Sequence, residues 1–159
     1  MFTSSRFSPS KDQIRDAFEH VLYEIRMLAC LPIPMAPSIL SNCVTESYLI
    51  HARVLVEFFQ AVSRDYDDIL PSDYGFEASP LGIDADIGTR FNKSVAHITY
   101  SRLCFREEDA TNAWINDHFR PQILSRAKDF LRHCVTQSMI TLHAKDIAAA
   151  NDLLKQIQI

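Results

Sequence analysis

The sequence predicts a single all-α domain, a bundle of four to six helices. Glycine occurs only 3 times in 159 residues, which disfavours folds with many tight β-hairpins, because their turns depend on glycine for positive φ angles. Apolar residues recur at helical spacing through most of the chain, and no segment shows strong strand alternation. The length suits one domain, and a hydrophobic fraction of 47% can supply a core without disulfides or a metal.

The first half of the chain predicts two helices. Residues 1–9 form a loose leader, and Ser10 with Gln13 then makes a capping box that begins the first helix. Three prolines between residues 32 and 37 end that helix. The second helix starts after Ser41 or Asn42 and runs to about residue 62. It is apolar almost all round, which predicts that it packs on several sides.

A long acidic loop is predicted over residues 63–85. Loops of this length in compact domains are usually functional or partly ordered by their own packing. The run Asp65-Tyr66-Asp67-Asp68 lacks the glycine and the terminal glutamate of a calcium loop. We therefore expect its aspartates to cap the following segment and to keep the loop soluble.

The second half predicts further helices. A third helix is expected over about residues 86–104. Residues 109–135 form either one long helix or two, because Pro121 would kink a helix or begin a new one after Arg120. A last helix is expected from about Gln137 to Gln156.

Composition and segment lengths exclude several classes of function. The net charge of −4 gives no overall attraction to nucleic acids or anionic membranes. No apolar stretch approaches the ~18 residues of a membrane span, and the first residues do not resemble a signal peptide. We therefore expect a cytoplasmic protein whose cysteines are free thiols, since no C-x-x-C pair occurs among its 4 cysteines.

The predicted third helix carries the side chains best suited to chemistry. Arg90, Lys93 and His97 fall on nearly one side of it, with Arg90 and His97 about 10 Å apart along the axis. An imidazole can move a proton while a guanidinium stabilises charge that builds on phosphorus. His97 and Arg90 thus supply the two groups needed for phosphoester cleavage without a metal. Asn92 and Lys93 could contact or orient a phosphate. Because a single phosphodiester does not span 10 Å, either the arginine folds back or a second copy contributes.

This segment resembles the HEPN superfamily of small helical bundles. The family signature is an arginine, four to six intervening residues and a histidine on an inner helix, and Arg90 to His97 has six. Residues 92–100 and 48–59 also resemble a family of uncharacterised bacterial proteins. The resemblance implies a homodimer in which two motifs meet to cut RNA without a metal, often in a toxin or defence protein. It implies catalytic roles for Arg90 and His97, substrate contacts by Asn92 and Lys93, and no cofactor.

A second interpretation remains open beside the ribonuclease. Active HEPN members usually carry a polar residue directly after the arginine, where this chain has Phe91. That difference favours a non-catalytic bundle that binds a protein partner, in which the Arg90–His97 stripe is a solvated helix face. His51, within an apolar run, is expected to be an interior histidine with a satisfied hydrogen bond. Arg53 and Glu57 are expected to form an intrahelical ion pair that partial burial makes important for the fold.

Metal binding and base stacking are less favoured. The chain has no His-Glu-x-x-His motif and no Glu-x-x-His repeat. Three histidines (His51, His97 and one of His118, His133 or His143) could in principle meet, but we expect no metal. An aromatic and basic group could stack on bases, but its spacing favours core or dimer packing; its members are Phe105, Arg106, Trp114, Phe119 and Arg120.

Overall fold

The structure is a computed structural model that describes residues 7–31, 39–83, 119–137 and 139–157. It confirms the predicted all-α bundle: these residues form four α-helices and one short 3-10 helix, with no strand among them. The α-helices are α1 (Lys11–Cys30), α2 (Ile39–Gln60), α3 (Arg120–Thr136) and α4 (Ala144–Gln156), and the 3-10 helix spans Pro71–Tyr74. The predicted third helix, over residues 86–104, lies outside the described residues.

Helices α1 and α3 are the central elements of the described bundle, because each contacts all three other α-helices. Helix α1 begins at a clear signal in the sequence. Its capping box is confirmed: Ser10 Oγ accepts from the Gln13 amide at 3.2 Å, and Gln13 Oε1 accepts from the Ser10 amide at 2.8 Å. The two bonds satisfy two backbone donors that would otherwise lack partners at the start of the helix. Its inward face buries five apolar side chains: Phe18, Val21, Leu22, Ile25 and Leu28.

The core is organised around the fully buried ring of Phe130 on α3. Five aromatic rings lie with their centroids 5.4–6.1 Å from it, most of them edge-on, as aromatic pairs prefer. They come from α1, α2 and the acidic loop: Phe18, Phe58, Phe59, Tyr74 and Phe76. The core therefore joins segments far apart in the sequence.

The described part of the acidic loop is ordered by its own packing, as one of the two sequence interpretations expected. Tyr74 is fully buried, and its hydroxyl donates to the Ile14 carbonyl at 3.0 Å. His133 Nε2 donates to the Tyr74 carbonyl at 3.0 Å. Asp73 accepts from the Leu70 amide at 2.8 Å and from Arg64. The loop is thus bound to both α1 and α3.

Two helix starts differ from the sequence prediction, and at Pro121 the structure agrees with one of the two alternatives that the sequence left open. Helix α2 begins at Ile39, before Ser41, and ends at Gln60. Pro121 lies in the first turn of α3, so it begins a helix rather than kinking one. The last helix starts at Ala144, not near Gln137. Ile140 and Leu142, which precede this helix, are buried on either side of an exposed residue, which is the alternation of extended chain.

Candidate functional site

The predicted catalytic and substrate-binding residues, Arg90, Asn92, Lys93 and His97, lie outside the described residues. The structure does describe the chain on both sides of the segment that carries them. Before it, Leu81 and Ile83 are partly buried against the core. After it, Phe119 is buried. The described residues on both sides of that segment therefore belong to the same bundle.

Phe119 and Arg120 pack against the bundle and do not form an exposed platform on which bases could stack. The Phe119 ring lies 6.0 Å from the Tyr48 ring, and the Arg120 guanidinium lies 5.5 Å from the centre of Tyr48. Arg120 also donates to the carbonyls of Ala29 and Leu31, at 2.9 and 3.3 Å. The bonds tie the start of α3 to the end of α1. The other members of that group, Phe105, Arg106 and Trp114, lie outside the described residues.

Helix α2 presents an exposed and largely apolar side, which we call its outward face. Ile39 is 85% exposed, Ile50 50% and Val54 38%. The expectation that α2 packs on several sides is wrong for this face, although its opposite side is buried through Leu49, Ala52, Leu55 and Phe59. Six exposed residues at helical spacing form the face: Ile39, Cys43, Glu46, Ile50, Val54 and Glu57.

The intrahelical ion pair predicted on α2 is present. Arg53 Nε donates to Glu57 Oε1 at 2.8 Å. The Arg53 side chain is 38% exposed and the Glu57 side chain 60%, so the expected partial burial holds for Arg53 and not for Glu57. An exposed pair of this kind stabilises a helix by only about 0.3–0.5 kcal/mol. It fixes the direction of Glu57 more than it stabilises the fold.

A cleft of about 500 Å³ lies between α1 and α2 and extends to the acidic loop. Its apolar lining includes Val21 from α1, Val54 and Phe58 from α2, and Ile69 from the loop. Val21 and Phe58 also belong to the core, so the cleft has a rigid floor. Both its volume and its apolar lining are typical of small-molecule sites.

Four titratable side chains line this α1–α2 cleft. His20 and Glu24 lie one turn apart on α1, while Glu57 comes from α2 and Asp68 from the loop. Glu24 is held from outside the cleft by His51, whose Nδ1 donates to Glu24 Oε2 at 2.6 Å. His51 is buried, so the prediction of an interior histidine with a satisfied hydrogen bond is confirmed.

A polar cluster joins the start of α4 to the first half of α1. His143, the residue before α4, donates from Nε2 to Asp16 Oδ1 at 3.0 Å, and Lys145 Nζ donates to Glu19 Oε2 at 3.0 Å. Hydrogen bonds from His143 and Arg15 lower the pKa of the Asp16 carboxyl, and the bond from Lys145 lowers that of Glu19. The cluster links two helices by charged contacts at the surface.

The described cysteines are free thiols, in line with the expectation for a chain without disulfides. Cys30 and Cys43 are exposed, and Cys134 is buried on α3. Burial raises the pKa of the Cys134 thiol to about 12. A thiol that remains protonated at neutral pH is a poor nucleophile. Cys104 lies outside the described residues.

The described histidines of the possible three-histidine site have other partners. His51 bonds to Glu24, His133 to the Tyr74 carbonyl and His143 to Asp16. Among the described residues, no group of three or more histidine, cysteine or acidic side chains could hold a metal ion. His97 and His118 lie outside them. In the same ranges, no helix combines the length and the apolar character needed to cross a bilayer.

Comparisons with known proteins found no relative of this chain. No protein-family model, no curated protein and no solved structure matches this chain.

Proposed function

We propose that this chain is a helical interaction module that forms a homodimer through the outward face of α2. The observation that carries the proposal is the exposure of Ile39, Ile50 and Val54 on one side of that helix. Contiguous apolar surface on a soluble domain marks a contact with another molecule. From Ile39 to Val54 the face is about 22 Å long, at ~1.5 Å per residue, which is enough for two helices to pack along each other.

Glu46 on the outward face and Arg53 at its edge favour a second copy of the chain as the partner. Ile50 lies midway between Glu46 and Arg53, each about one turn away along α2. When two copies of α2 cross antiparallel about a two-fold axis at Ile50, Glu46 of each copy lies opposite Arg53 of the other. The same patch then complements itself, as a two-fold dimer interface requires.

Light scattering tests this proposal. The native chain is expected to have a mass near twice its 18.2 kDa. Ile50→Glu is expected to yield a monomer, because it places a carboxylate at the two-fold axis. Val62→Glu is the matched control, since Val62 is 85% exposed and lies beyond the end of α2, and it should remain a dimer. A native chain that is monomeric at high concentration would contradict the proposal.

Cleavage of RNA without a metal is the second candidate function. It is favoured by the placement of Arg90, Lys93 and His97 on one side of the expected third helix, and by the resemblance to the HEPN signature. His97 would transfer a proton, Arg90 would stabilise charge on phosphorus, and Asn92 and Lys93 would contact the phosphate. A homodimer would supply two copies of the motif, which is one of the two ways to bridge the 10 Å separation along the helix; the other is an Arg90 side chain that folds back toward His97.

Incubation of labelled RNA with the protein and a chelator tests the ribonuclease directly. We expect cleavage by the native chain and its loss in Arg90→Ala and in His97→Ala. Arg132→Ala removes an exposed arginine from α3 and should cleave normally. Cleavage that survives both site substitutions, or no cleavage of any RNA tried, would leave the interaction module as the function.

A further inference from the structure

We propose that the α1–α2 cleft binds a small organic cation with an apolar body. This inference does not rest on RNA cleavage or on dimer formation, although the cleft shares Val54 and Glu57 with the outward face of α2. It follows from the combination of an apolar floor with carboxylates in one cleft.

The size of the cleft favours a small molecule over a polypeptide. Its volume of about 500 Å³ lies within the range of drug-sized ligand sites. A helix of a partner protein, ~10 Å across with its side chains, needs an open groove rather than a cleft between two packed helices. The buried side chains of Val21 and Phe58 offer an apolar surface against which a ring can pack.

The charge of the cleft selects a cation. Glu24, Glu57 and Asp68 line it, and neither lysine nor arginine is among its described lining residues. Arg53 offsets the charge of Glu57 from outside the cleft. The Asp68 carboxylate has no hydrogen bond or ion pair with a described residue. Asp68 is thus the carboxylate best able to pair with a ligand ammonium group.

Two of the three carboxylates are held in place before any ligand arrives. The bond from His51 fixes Glu24, and the bond from Arg53 fixes Glu57. Both donors belong to α2 and neither lines the cleft. Because these carboxylates lose little freedom on binding, they attract a cation at a low entropic cost.

An NMR titration with 2-phenylethylamine and 2-phenylethanol tests the proposal. The two probes share an aromatic body, but only the amine is charged at neutral pH. We expect the amine to shift the signals of Val21, Phe58 and Ile69 and to bind about tenfold more tightly than the alcohol. N-acetyl-lysine amide, which presents the ammonium group without a ring, should bind more weakly than 2-phenylethylamine.

Three variants locate the binding. Asp68→Asn should weaken amine binding about three- to fivefold, the scale of one exposed ion pair. Ala61→Trp places a large ring at the edge of the cleft and should block both aromatic probes. Asp152→Asn is the matched control, because it removes an exposed carboxylate that pairs along α4, and it should bind like the native chain.

Four results would overturn the proposal. They are equal binding of amine and alcohol, equal binding of the lysine derivative, full binding by Ala61→Trp, and no shift of cleft signals at about 10 mM amine.

Discussion

His51 Nδ1 lies 2.6 Å from Glu24 Oε2, and this bond joins the middle of α2 to α1. The rings of His51 and Tyr23 also pack edge-to-face, with their centroids 5.5 Å apart. His51→Ala would remove the donor and leave a mostly buried carboxylate without it. We expect a loss of about 1–3 kcal/mol in the free energy of unfolding, measured with urea.

Arg53→Ala is the control for that prediction. It also removes the partner of a glutamate, but one at the surface, and it should cost only about 0.3–0.5 kcal/mol. Equal effects of the two substitutions would mean that the burial of the Glu24–His51 pair contributes nothing.

Phe130 is the side chain whose truncation should cost the most stability. Its ring contacts aromatic residues from α1, α2 and the acidic loop. Phe130→Ala would leave a large cavity, and we expect a loss of about 3–5 kcal/mol in urea unfolding. Tyr66→Ala removes an aromatic ring that is 86% exposed and should change stability little. A small effect of Phe130→Ala would show that the core does not depend on this ring.

The surface cluster between α1 and α4 should make stability depend on acidic pH. The bonds from His143 and Lys145 lower the pKa values of Asp16 and Glu19 in the folded chain. A carboxyl with a lowered folded pKa stabilises the fold above its unfolded pKa, and the contribution is lost as pH falls through the folded value. The contribution should thus be complete at neutral pH and disappear below about pH 4.

A double-mutant cycle of Glu19→Gln and Lys145→Met checks this dependence. The coupling between the two positions should be favourable at pH 7 and largely lost at pH 2.5, which is about two units below the ordinary glutamate pKa, because protonation removes the charge at position 19. A coupling free energy that is the same at both pH values would show that it arises from packing and not from charge.

Local signals in the sequence were sufficient for some elements of the fold. The Ser10–Gln13 capping box fixed the start of α1, because capping depends on residues three apart. The predicted start of the last helix, near Gln137, is wrong. Ile140 and Leu142 are buried, but they lie in the extended chain before α4 and not in a helix. Apolar character alone also gave a wrong prediction for the outward face of α2. That face was expected to be packed, but Ile39 and Ile50 are exposed on it.

The α1–α2 cleft could not be predicted from the sequence. Glu24, Glu57 and Asp68 come from three separate segments, and no spacing rule connects them. The hydrogen-bond partner of His51 could not be predicted either, since Glu24 lies 27 positions earlier in the chain. The one available signal was His20 and Glu24 at i and i+4, which places both on one face of α1.

Disulfide trapping at Ile50 tests the central claim, self-association through the outward face of α2, most directly. In a two-fold antiparallel pair, the residue on the axis faces its own copy. Ile50→Cys, in a chain whose Cys30, Cys43 and Cys104 are replaced by serine, should form a covalent dimer rapidly under mild oxidation. Val62→Cys in the same background should not cross-link, although it still forms the non-covalent dimer. Equal and slow cross-linking at both positions would contradict the proposed interface.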